Sequence, residues 1–245
     1  ETPIAYQPTD DYSRALWVGL INTLRIALAG IILTTIVGIA AGIARLSDNW
    51  LVRNIALIYV EIIRNTPLLL QLLFWYSAVF LSFPNINNKI SLGGLIYLSQ
   101  DGLEILGFQF SSEFAALLIG LVFYTGSFIA EIVRAGIQSV SKGQWEAARS
   151  LGLKPSLIMR LVIFPQALRV IIPPLTSQYL NLTKNSSLAI AIGYPDIYFV
   201  ASTTFNQTGK AVEVMLLIML TYLTFSLTIS LVMNLFNKAV QIKER

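Results

Sequence analysis

The 245-residue chain contains no cysteine and no histidine. Without cysteine there is no disulfide, no thiolate nucleophile and no soft metal site. Without histidine the commonest metal ligand and the usual general base are gone. Charge is scarce as well: 12% of residues are charged and 55% hydrophobic, against roughly 25% charged in soluble globular chains. A soluble fold of this length needs polar side chains to cover it, so much of this surface is expected to face lipid. The net charge of +4 is small, and the basic residues are spread over several loops instead of one face, which argues against a nucleic-acid partner. No G-x-x-x-x-G-K-[ST] loop occurs, so the chain is not expected to bind ATP itself. No metal site and no catalytic set is expected, and the chain is not read as an enzyme.

What is present is a series of apolar runs near the length of about twenty residues that crosses a bilayer as a helix. The runs predict an all-α integral membrane protein with about five transmembrane helices, over Ile26 to Ala44, Pro67 to Phe83, Phe114 to Ala130, Gln166 to Thr183 and Val214 to Asn237. Pro67 suits the first turn of its helix. The fourth run starts outside the lipid near Ser156 and is expected to bend at Pro165, Pro173 and Pro174. Residues 1–25 read as a lead-in, with Glu1 to Asp11 outside the membrane and without the pattern of a signal peptide.

Alternating the loops places Arg45, Arg53, Arg64, Arg134, Lys142, Arg149, Lys154, Arg160, Lys238, Lys243 and Arg245 on one side, and Arg14, Lys89 and Lys210 on the other. Lys/Arg excess marks the cytoplasmic side. The N-terminus is therefore expected outside and the C-terminus inside. Residues 84–113 carry the turn signals Pro84-Asn85, Gly93-Gly94 and Asp101-Gly102 and are expected to form a small extracytoplasmic cap. Leu188 to Gly209, interrupted by Gly193, Pro195 and Asp196, reads as a broken or re-entrant segment, which survives at membrane depth only inside protein or beside water.

The long cytoplasmic loop, residues 142–165, is the most informative. Glu146 to Leu151 has helical composition, Gly152 is a helix stop, and Pro155 suits the start of the next helix. The pattern predicts a short helical hairpin, with Ala147 and Ala148 small enough for another protein to approach. An ordinary connecting hairpin would read the same. Glu146-Ala147-Ala148, three residues, Gly152, nine more, then Val162-Ile163-Phe164-Pro165 resembles the EAA loop of ABC-importer permeases, E-A-A-x3-G-x9-I-x-L-P. Arg64-Asn65-Thr66-Pro67-Leu68-Leu69-Leu70-Gln71, Ala130-Glu131-Ile132-Val133-Arg134-Ala135-Gly136-Ile137 and Leu182-Thr183-Lys184-Asn185-Ser186-Ser187-Leu188-Ala189 resemble the polar amino-acid branch of that family, with its HisM- and GlnP-like members. Asn65 departs from the branch's R-G-T-P. The lead-in and first span, through Ile43-Ala44-Arg45-Leu46-Ser47, look most like general L-amino-acid permeases.

The resemblance covers nearly the whole chain and implies one transmembrane permease domain over residues 1–245 with the type I ABC importer fold, multi-pass in the bacterial inner membrane. It implies that Glu146, Ala147, Ala148, Gly152 and Leu153 couple to a cytoplasmic ABC ATPase dimer, which binds ATP and Mg. It further implies a second permease subunit, homologous or identical, and a periplasmic substrate-binding protein that delivers an amino acid. An ion-gradient-driven carrier or channel would explain the composition but leaves the hairpin without a task.

Two polar groups within the spans are candidate sites, since ionisable residues there are costly and face protein or a cavity. Tyr124, Ser127, Glu131, Arg134 and Gln138 share one helical face, and Glu61 and Arg64 precede the second span at the same depth. Glu61, Arg64, Glu131 and Arg134 are expected to form an ion-pair network, more as a tie between helices than as a substrate contact. Gln178, Asn181 and Asn185, at i, i+3 and i+7, make an amide stripe followed by Ser186 and Ser187. Amides both donate and accept, which suits a zwitterion; hydrogen bonding between permease subunits would use the same stripe. With Thr66 and Ser127 these are the candidate substrate contacts. An amide at Asn185, where a carboxylate would select cationic side chains, favours neutral or acidic amino acids.

Overall fold

The computed structural model describes residues 11–240; the first ten residues of the lead-in, and Lys243 and Arg245 of the charge count, lie outside them. The chain is a helical bundle with one small sheet. Helix α1 (Tyr12–Ala44) runs for 33 residues, so the expected first span is the second part of a helix that begins inside the lead-in. It packs parallel to α4 (Ser112–Gln138). A Cβ on Gly38 would come within 2.5 Å of Ile129 Cγ2, and one on Gly42 within 2.7 Å of the Ala130 carbonyl. Small residues permit this approach, and close van der Waals contact is what holds helices together in lipid. Higher up, the Thr34 hydroxyl donates to the Val122 carbonyl at 3.2 Å.

Between them the chain makes a broken span. Helix α2 (Trp50–Arg64) was expected as loop, because Arg53, Glu61 and Arg64 interrupt the apolar run. It forms because the Asn49 side chain accepts from the Leu51 and Val52 N–H groups, satisfying donors that a helix start leaves open. It buries Ala56 and Val60 while Ile55, Ile58 and Ile62 face outward. The chain then turns by 106° into Leu68–Ser82, made of helix α3 (Leu68–Leu73), a π-turn over Phe74–Val79 and a 3₁₀ turn.

Residues 84–113 hold strands β1 (Ile90–Leu92), β2 (Ile96–Ser99), β3 (Gly102–Ile105) and β4 (Phe108–Ser111), an antiparallel meander in that order. The turn signals foreshadow it: Gly93 and Gly94 both take positive φ between β1 and β2, where glycine carries no Cβ penalty. The mostly helical architecture thus stands with this one addition.

Helix α5 (Lys142–Ser150) and the short α6 (Pro155–Ile158) follow α4. From Pro155 to Ile192 the chain is one helical train of 38 residues, through a π-turn at Met159–Ile163, α7 (Phe164–Asn185) and a 3₁₀ turn at Ser186–Ile192. It is longer than the expected Gln166 to Thr183. The wider π-turn sits just ahead of Pro165, whose ring would crowd a regular preceding turn. α7 runs antiparallel to its neighbours: Gly30 meets Leu182, and Gly136 meets Ile171.

The expected broken segment becomes a left-handed Gly193, a buried corner at Asp196 and α8 (Ile197–Thr208), 12 residues and too short to span. Helix α9 (Ala211–Val240) closes the bundle. Among the described residues, four helical stretches are long and apolar enough to cross a membrane, or five with the bent α2–α3 pair counted as one.

Candidate translocation and coupling sites

The hairpin is built from local rules. Helix α5 ends at Ser150 with Leu151 as its C-cap; the Gly152 N–H bonds the Arg149 carbonyl at 2.9 Å and the Leu153 N–H bonds the Ala148 carbonyl at 3.3 Å, the double closure of a Schellman motif. Gly152 supplies the left-handed residue, φ 71°. Lys154 leads into Pro155 at the start of α6. Leu151 stands at the tip, 79% exposed, with Glu146 and Ala147 also exposed and Leu153 half-buried. Ala148 instead turns inward, 3% exposed, into the core cluster that contains Ile137 of α4, Ile163 and Ala167. Close approach by a partner therefore falls to Ala147, not to both alanines. The Gln166 side chain donates to Gln144 at 3.2 Å, a second tie between hairpin and train.

The charged network differs in membership from the sequence expectation. Glu131 accepts from Arg45 at 2.6 Å and from the Arg134 Nε at 2.9 Å, and its side chain is 26% exposed against 13% for Arg45. Arg45, counted by sequence as a loop charge, is the partner that ties α1 to α4. Glu61 is not in the network. It is exposed, and its carbonyl and carboxylate accept from Asn65 at 2.7 and 3.3 Å. Arg64 lies over the Phe128 ring, 5.0 Å from its centroid. Ser127 is fully buried, its hydroxyl turned back onto the Tyr124 carbonyl at 2.6 Å, which removes it from any open surface of the described chain.

At the α2–α3 corner, Thr66 donates to the Ile62 carbonyl at 3.0 Å. The buried Gln71 Nε2 reaches back to the Ile63 carbonyl at 2.9 Å and the Thr66 hydroxyl at 2.7 Å. Gln71 thus satisfies carbonyls freed by the break, a role not assigned to it from sequence although it closes the quoted motif.

On α7, Gln178 and Asn185 are half-buried and Asn181 is exposed. The helix buries Ile171, Ile172, Tyr179, Leu182 and Thr183, so the amides look away from this chain's own core. Ser186 is buried and Ser187 half-buried, and their hydroxyls donate to the Thr183 and Lys184 carbonyls at 2.8 Å. A cavity of about 590 Å³ between α1 and the start of α7, lined by residues such as Thr35, Ile43, Val133 and Leu168, contains none of these amides.

The corner before α8 was not read as a site. Asp196, fully buried, accepts from the Phe199 N–H at 2.8 Å and from the Tyr222 hydroxyl of α9 at 3.2 Å. Asn22 donates to the Pro195 carbonyl at 3.0 Å, and Thr23 accepts from the Ile197 N–H at 3.0 Å. Burial pushes the Asp196 carboxyl up to about 6, against the lowering pull of its hydrogen bonds.

Residues 34–242 match the family of binding-protein-dependent transport system inner membrane components. The permease protein YhdX of Escherichia coli K12 is 41% identical, over 99% of this chain and 82% of its own length. The general L-amino acid transport system permease protein AapQ of Rhizobium johnstonii is 38% identical, over 99% and 80%. Both alignments, of 322 and 321 residues, are longer than this chain, so these relatives carry further residues within the matched stretch. A chain in the crystal structure of an amino acid ABC transporter with histidines superposes with a TM-score of 0.73 and 30% identity, covering 93% of this chain and 95% of the other. An ion-driven carrier is not favoured by these matches. The chain therefore belongs to the family of binding-protein-dependent inner membrane components: it is a multi-pass ABC-importer permease subunit, not an enzyme, in a family that works with an ATPase and a substrate-binding protein.

Proposed function

We propose that this permease carries polar L-amino acids inward as one of two such subunits, identical or homologous. The N-terminal end faces outward, a cytoplasmic ATPase dimer that binds ATP and Mg seats on the α5–α6 hairpin, and a periplasmic binding protein delivers substrate from outside. The printed functions of the relatives support the amino-acid reading. The amide face of α7, turned away from its own core, supports a path enclosed with the second subunit. Asn185, an amide where a carboxylate would select cations, supports neutral or acidic substrates.

The observation that carries coupling is the division of labour within one turn of α5: Leu151 projects into solvent while Ala148 is packed in the core shared by α4 and α7. A displacement of the tip is passed to two spans at once because close-packed interiors transmit strain. Leu151→Asp places a charge on the tip without touching that core. ATPase recovered with the detergent-solubilised complex, and ATP-driven uptake in proteoliposomes, should both fall at least tenfold, with thermal unfolding unchanged. Full recovery of the ATPase by the variant would refute the seating.

A further inference from the structure

We infer that Arg64, at the corner of the broken span, is a carboxylate-binding residue of the translocation path. This rests on the amino-acid reading above and deepens it. The corner joins the two halves of the broken span: Arg64 sits over Phe128, which stands ten residues, about 15 Å, from the end of α4 at Gln138. It is exposed there, where an ionised side chain needs a protein partner or water.

Around it the side-chain donors are already engaged, while the buried Gln71 Oε1 has no partner among the described residues. Asn65 donates to Glu61, Thr66 to Ile62, and Gln71 to Ile63 and Thr66. Of the opposing charges, Glu131 is held by both Arg45 and Arg134, and Glu61, one turn back on α2, accepts from Asn65. Three guanidinium groups thus stand with two carboxylates, and the one without a hydrogen-bonded carboxylate is the one on the open side. Among the described residues, no hydrogen bond or ion pair uses the Arg64 donors. The Phe128 face underneath holds the guanidinium by cation–π attraction without consuming its N–H groups. A planar fork with free donors on an aromatic platform is suited to bidentate recognition of a carboxylate, the group common to every amino acid.

The test uses the complete transporter in nanodiscs, with labelled glutamate and glutamine as probes and their α-carboxamides as competitors, and the same complexes in proteoliposomes for uptake. In the wild type the carboxylates should compete at least tenfold better than the amides. Arg64→Gln should bring that ratio towards one and lower uptake at least tenfold, and Arg64→Lys should keep part of both. An unchanged ratio in Arg64→Gln overturns the assignment. So does loss of the second permease from an otherwise stable Arg64→Gln complex when Arg64→Lys keeps the wild-type ratio, which makes Arg64 a contact between subunits. A wild-type transporter that neither binds nor imports either probe brings down the amino-acid reading itself.

Discussion

Helices α4 and α9 are of similar length and hydropathy and could hardly be buried more differently. In the most apolar stretch of α4, 61% of residues are buried within the chain; in that of α9, none are. Over its full length α9 buries Met233 alone. The two differ in small residues. α4 offers Gly120, Gly126 and Gly136 to Leu72, Val37 and Ile171, while α9 presents leucines such as Leu216, Leu223 and Leu227 to its surroundings. In lipid, apolar surface has no water to escape, so a leucine face gains nothing by turning inward, and close packing decides which helices form the core.

The largest expected effect comes from breaking that packing. Gly42→Leu would drive a side chain into the Ala130 carbonyl and Val133. Because the obstacle is partly backbone, the cost should reach or exceed about 3 kcal/mol, seen as a lost or aggregated chain in fluorescence-detection size exclusion. A monodisperse variant of unchanged melting temperature would show that the α1–α4 contact is looser than described.

A smaller effect tests how α9 is tied to the rest of the bundle. Asp196 caps α8 and accepts from Tyr222 of α9. Its folded pKa, about 6, lies above its ordinary value of 3.8. The folded state therefore holds the proton more tightly, and stability should decline as pH rises from about 4 through about 6, then level off. Asp196→Asn keeps a cap and a polar contact while removing the charge, so its melting temperature should lack that slope. A wild-type melting temperature that does not change between pH 5 and 8 would contradict the buried charge. The smallest effect belongs to the open face: Leu227→Ala should move stability by no more than about 0.5 kcal/mol. A larger loss would mean that α9 is covered in the assembly by protein instead of lipid.

Legibility followed the range of the forces involved. The hairpin could be read residue by residue because it is local: a glycine at the left-handed position, a proline one helix later, an Ala148 carbonyl closed by Leu153. The meander was visible only as turns, since pairing of strands as short as Ile90–Leu92 depends on neighbours outside the run. Helix α2 was hidden because its three charges fail a hydropathy test, although its Asn49 cap and the Ala56–Val60 spacing are ordinary helix signals. The site was read less well than the fold. Of the expected network of Glu61, Arg64, Glu131 and Arg134, only Glu131 and Arg134 pair directly; Arg45 joins them, and Glu61 bonds Asn65 instead.

By itself, the sequence determined the membrane class, the approximate spans and the helical hairpin of residues 142–165, because hydropathy, capping and turn chemistry act within a few residues. Only the tertiary structure decided which guanidinium meets Glu131, that Ala148 faces inward and Ser127 is covered, and that Asp196 is sealed beneath α1 and α9. Each depends on how one helix is rotated and pressed against another. That is set by packing at Gly38, Gly42 and Gly136 across distances no local pattern encodes.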